Sequence, residues 1–134
     1  MPERRTASRS PRRVSRTQPF TCPREAWRQL LAAVDRAFHA CERYWYQGRY
    51  YVRHERTFLA LVREPGNDHI EARIAATARP RWRAARDTFW DDHPERDTPP
   101  PHLHVIPIRD RGDIACALKT ARRARRRWGA RKFR

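Results

Sequence analysis

Apolar residues recur at three- and four-residue steps from Trp27 through Leu30, Leu31, Val34, Phe38 and Cys41 to Trp45. That is the period of one helix face, and it predicts a long amphipathic helix over residues 23–46. Thr21 can cap it, Pro23 suits its first turn, and Glu25 lies near the positive end of the helix dipole. Gly48 is a natural stop. Beyond it the period shortens to two. Arg49 to His54 is a short aromatic strand candidate, and TFLALVRE at residues 57–64 is a second. Ile70, Ala72, Ile74 and Ala76 alternate as a third strand. Pro65-Gly66-Asn67-Asp68 between the last two is turn chemistry, so residues 57–78 read as a β-hairpin. Pro80 ends it.

Trp82, Ala85, Phe89 and Trp90 predict a short helix that stops before Pro94. DDHPERDTPPP, residues 91–101, is a stiff proline-rich loop. HLHVIPI, residues 102–108, is a fourth strand, and Pro107 within it implies a sheet edge or a bulge. Asp113 can cap a last helix bearing Ile114, Leu118 and Ala121, which runs into ARRARRRW and ends near Gly129. The order α-β-β-β-α-β-α predicts an α+β fold, a small and mostly antiparallel sheet packed by helices. Trp27, Leu31, Val34 and Phe38 are expected to face the sheet.

Charge divides the chain differently. The 134 residues carry a formal +16, and nearly all of it sits at the ends. Residues 1–17 hold six arginines, Arg12 and Arg13 among them, against Glu3. Residues 119–134 hold two lysines and seven arginines with no acid. The organisation expected is a disordered basic arm at 1–20, an α+β domain at 21–118, and an arginine-rich helix or tail at 119–134. Dense charge of one sign at both termini points to a polyanion, and so to DNA or RNA. Candidate phosphate contacts are Lys119, Arg122, Arg123, Arg125, Arg126, Arg127, Arg131 and Lys132. On a helix these arginines would cover most of the circumference, and self-repulsion would oppose the helix until phosphates neutralise it.

No apolar run reaches membrane-spanning length, and the N-terminal arginines have no hydrophobic stretch behind them. The expected partner is therefore nucleic acid and no membrane. The expected location is cytoplasmic or nucleoid-associated, not secreted. Cys22, Cys41 and Cys116 form neither a disulfide framework nor a zinc pattern. Cys41 and Cys116 fall on apolar helical faces and read as buried thiols.

Two local clusters carry candidate chemistry. RYWYQGRYY, residues 43–51, alternates arginines with aromatic rings. Tyr44 and Tyr46, facing solvent, can stack on unpaired bases, whereas Trp45 and one of Tyr50 and Tyr51 are expected to be buried. His102-Leu103-His104 would project two imidazoles from one face of a strand, where they can share a divalent cation or a phosphate. Asp91-Asp92-His93 is a further possible ligand run, more simply read as the solvated end of the Trp82–Trp90 segment.

PHLHVIPI, with the earlier TFLALVRE, resembles the paired motifs of HUH endonucleases, the superfamily of rolling-circle replication initiators, relaxases and some transposases. The resemblance covers roughly residues 57–109. It implies that His102 and His104 hold Mg²⁺ or Mn²⁺, which would polarise a DNA phosphate for attack by a tyrosine. No tyrosine follows residue 51, so the nucleophile would come from before the histidines, with Tyr50 and Tyr51 the candidates.

Three functions are thus in competition. The first is a nucleic-acid-binding protein acting in DNA replication, mobilisation or packaging, or on RNA. The second is an HUH-like single-strand nickase. The third is a small basic ribonuclease of the toxin type, in which a histidine or tyrosine among arginines acts as acid or base.

Overall fold

Helix α1 spans Pro23–Ala37, ending well before its apolar stripe does. This is a computed structural model, and it describes residues 18–64, 66, 69–77, 100 and 102–131. Pro23 opens α1 as expected, but the N-cap is Cys22, not Thr21, and its side chain makes no capping bond. Glu25 in the first turn accepts from Arg28 and, at 2.7 Å, from Gln29. The helix ends where Phe38 leaves helical geometry (φ −123°, ψ 37°), its N–H still bonded to Val34 O at 2.9 Å.

Past Phe38 the chain turns into a hairpin and does not continue as helix. β1 (Glu42–Tyr46) and β2 (Arg49–Arg53) pair antiparallel, with Tyr44 opposite Tyr51 and Trp45 opposite Tyr50. The two loop residues, Gln47 (φ 53°) and Gly48 (φ 77°), both take positive φ. That is the backbone of a type I′ turn, whose twist matches a two-residue hairpin. The expected helix over 23–46 is corrected accordingly. Cys41 and Trp45 keep helical spacing by coincidence, while the aromatic run ERYWY prefers cross-strand pairing.

β3 (Thr57–Glu64), β4 (His69–Ala76) and β5 (His102–Pro107) complete one antiparallel sheet in the order β1-β2-β3-β4-β5. The hairpin read from residues 57–78 is present, with Leu59 opposite Ile74 and Leu61 opposite Ala72. β5 is an edge strand, one of the two places expected of Pro107. Between Val52 and Arg53 the register slips, leaving Phe58 as the extra residue of a β-bulge. The bulge turns Phe58 to the same side as Leu59. There it meets Phe38 edge-on, ring centroids 5.3 Å apart.

α1 and α2 (Arg111–Ala124) lie on one face of this sheet. Leu30, Val34 and Phe38 from α1 pack with Val52, Leu59, Leu61, Ile74 and Ile106 from the sheet. Leu30 is fully buried, whereas Leu31 and Trp27 are only partly so and line its margin. Asp110, not Asp113, is the N-cap of α2, accepting from Asp113 N at 2.8 Å. Asp113 reaches back to Arg109 N, also at 2.8 Å. Cys41 is buried in the turn before β1, and Cys116 is exposed on α2, which corrects the expectation of two buried helical thiols.

The last turn, Arg125–Gly129, is π-helical. It docks on the β2–β3 loop, where Gly129 O accepts from Glu55 N and Arg56 N at 2.6 and 2.9 Å. A Cβ at Gly129 would lie 2.8 Å from Phe58 Cδ1, so only glycine allows this approach. The expected boundary between 118 and 119 therefore falls inside α2, whose buried stripe continues through Ala121, Ala124 and Trp128. Phe20 N donates to Arg109 O at 2.8 Å and Pro19 bridges Asp110, so residues 19–20 belong to the fold. Residues 1–17, the expected helix at 82–90, Asp91-Asp92-His93 and Lys132 lie outside the described residues.

Candidate nucleic-acid interface

The arginine-rich segment is built into the fold. Ile114, Ala117, Ala121, Ala124 and Trp128 form a buried stripe at three- and four-residue steps. Lys119, Arg122, Arg123 and Arg126 fall on the opposite arc at the same steps and are exposed, as is Arg127. The cations are thus confined to an outer ridge and do not ring the helix. No acid lies between Ile114 and Arg131. The ridge spans the end of α2 and the π-helical turn after it, where the negative end of the helix dipole offsets part of the repulsion between guanidinium groups. Arg126 also donates to Arg122 O at 3.4 Å.

Two further candidates do not belong to the ridge. Arg125 is half-buried, and its charge acts on the Cys41 thiol, whose pKa is raised by burial despite Arg125 and Arg43. Arg131 sits over the Trp128 ring at 5.6 Å, with Arg56 over the same ring at 4.6 Å. Arg12, Arg13 and Lys132 are not described. Pro19 bridges Asp110 at the start of α2, and the ridge lies toward the other end of that 14-residue helix, about 21 Å long.

His104 pairs with Ile74 and His102 with Ala76, so both imidazoles lie on the helix-bearing face of the edge strand. Both are half-buried. Burial holds the His104 pKa below the usual histidine value, and the nearby Arg123 guanidinium lowers it further. The pair thus sits beside the ridge. Among the described residues no group of three His, Cys, Asp or Glu side chains can hold a metal ion. Within the described residues the two imidazoles have no third ligand beside them and stand next to a guanidinium. The same set suits a phosphate oxygen.

The tyrosines are elsewhere. Tyr44, Tyr46 and Tyr51 face away from the helices, around a second cluster with Ala60 and Leu103. Tyr51 is wholly buried and stacks on Tyr44, centroids 5.4 Å apart. Tyr44 Oη bonds Thr57 Oγ1 at 2.9 Å. Both Tyr44 and Tyr46 are half-buried. Tyr50 does share the histidines' face, but it stands three strands away on β2, roughly 14 Å in strand spacings. Its hydroxyl donates to Asp35 at 2.6 Å. Burial, then Asp35, pushes its pKa up to about 12, the opposite of what activates a nucleophile. The two halves of the HUH-type arrangement are not brought together.

Two features escaped the sequence reading. Trp45, expected to be buried, is the one exposed large hydrophobic residue among those described, at 55%. His69, Glu71 and Arg73 form a charged row along β4 on the face away from the helices. Glu71 accepts from His69 at 2.9 Å and from Arg73. Their i, i+2, i+4 spacing in HIEARI was the available signal. Glu71 and Arg73 are buried, and each offsets the other's desolvation.

Among the described residues no helix is long and apolar enough to cross a membrane. No family model, curated protein or solved structure matches this chain.

Proposed function

We propose that the protein binds nucleic acid along the outer ridge of α2, gripping phosphates through Lys119, Arg122, Arg123, Arg126 and Arg127. The 1–17 arm adds charge, and His102 and His104 border the ridge as phosphate contacts. One observation carries this reading: the exposed cations share a single arc of a helix whose other arc is locked into the core. A solvated tail has no such register. A preorganised ridge does not have to order itself on binding, so less of the electrostatic gain is offset by lost entropy.

Deleting residues 119–134 would also remove Ala121, Ala124 and Trp128 from the core, so it cannot isolate the charge. Replacing Arg122, Arg123, Arg126 and Arg127 together by glutamine does. Anisotropy titrations against a labelled oligonucleotide between about 50 and 200 mM salt should show weaker binding and a shallower log K against log salt slope. Each phosphate contact on duplex DNA contributes about 0.9 to that slope, so the loss should reach about 3.6. An unchanged slope with a folded variant would remove the ridge from the contact surface.

A further inference from the structure

Trp45 stands on β1, the strand at the opposite edge of the sheet from His102 and His104. More than half of its surface is open. It is nevertheless braced. Tyr50 lies across the hairpin at 4.7 Å between ring centroids, and Trp27 of α1 at 6.3 Å. Tyr50 is in turn fixed by Asp35, which also holds Arg43 at 3.3 Å. Arg43 and Trp45 are two residues apart on one strand, so they share a face about 7 Å apart. One carboxylate therefore positions both an aromatic plate and a neighbouring cation.

We propose that Trp45 and Arg43 form a separate subsite for single-stranded nucleic acid, with an unpaired base stacked on the indole and its phosphate held by the guanidinium. Every base offers a π-face, and a rigid exposed indole stacks on it without sequence preference. In a duplex the bases are paired and their faces covered, so this plate would contribute nothing there. Charge favours this occupant over a neutral apolar partner, because the exposed Arg43 guanidinium flanks the indole on the same face. Arg43 keeps further N–H donors for a phosphate while bonded to Asp35. The neighbouring tyrosines, half-buried on the other face, do not offer this surface.

The inference rests on the nucleic-acid reading above, and the test separates the two. Binding of a single-stranded oligonucleotide and of a blunt duplex is measured for wild type, Trp45→Ala, Trp45→Phe and the four-arginine variant. The expected result is a loss of about tenfold on the single strand for Trp45→Ala, with duplex affinity unchanged and Trp45→Phe restoring most of the loss. Equal loss on both ligands, or no loss on the single strand, overturns the subsite. If the four-arginine variant still loses binding, the ridge survives that result. If wild type binds neither ligand, both readings fail. If wild type is a dimer by sedimentation and Trp45→Ala a monomer with unchanged single-strand affinity, a second copy covers this face and the subsite is overturned.

Discussion

Trp128→Ala tests whether the arginine ridge is anchored or merely appended. Trp128 is 4% exposed and lies in the same cluster as Phe58, Ala121 and Ala124. Truncating a buried tryptophan costs about 3–5 kcal/mol in lost transfer energy and residual cavity. Loss of the Arg56 guanidinium from over its ring adds about 0.5–1 kcal/mol. Against a stability of about 5–15 kcal/mol for a small domain, that is a large fraction. Trp128→Phe should cost much less, because Trp128 Nε1 is buried with no hydrogen-bond partner among the described residues and phenylalanine removes it. Guanidinium unfolding followed by circular dichroism measures both variants. A Trp128→Ala midpoint equal to wild type would refute the reasoning, for the segment would then hang on the fold as a tail and its arginines would not be preorganised.

Glu71→Gln removes the charge between His69 and Arg73 and leaves a buried guanidinium without its carboxylate. It should cost about 3–5 kcal/mol by denaturant unfolding, and a cost under about 1 kcal/mol would show that the row is not desolvated. Tyr50, with its pKa raised from 10 to about 12, stays protonated in the fold after the unfolded chain has ionised. Its contribution to stability is complete below pH 10 and lost as pH rises to about 12. Tyr50→Phe should flatten that part of the stability profile, and an unaltered profile would place the alkaline loss elsewhere.

The strands were readable where apolar residues run continuously or recur at every second position between turn residues. Leu59, Leu61, Ala72 and Ile74 announced β3 and β4, and Pro107 announced an edge. The reading failed between Phe38 and Gly48, where two patterns overlap. Phe38, Cys41 and Trp45 keep helical spacing, but Gln47-Gly48 can adopt the positive φ of a hairpin loop, and pairing of Tyr44 with Tyr51 and Trp45 with Tyr50 decides the matter. A helix read through that segment buries Trp45; the hairpin exposes it. The arginine segment was misjudged for a related reason. Charge counting sees a run, whereas Ala117, Ala121 and Ala124 are small residues whose burial becomes visible only once Trp128 is docked beneath Phe58 and Arg56.

These placements divide the sheet into two faces with different duties. Away from the helices, the charges are answered locally: Glu71 by His69 and Arg73, Glu42 by Arg53 at 3.8 Å, and Tyr44 by Thr57. Such a surface has little left to offer an anion. On the helix-bearing side one sheet row runs Arg43, Val52, Leu59, Ile74, His104. Its apolar middle lies in the core under the helices, and its two ends emerge at opposite edges as a guanidinium and an imidazole. Over β3, β4 and β5, α2 and the π-helical turn after it raise an arc of cations with no interspersed acid. The ridge and the histidines thus lie over the β3–β5 half of the sheet, and Trp45 stands at its far edge on β1. On the proposed reading, that spread of cations and rings suits an extended polyanion better than a compact ligand, with the histidines beside the ridge and the indole at the opposite edge of the sheet.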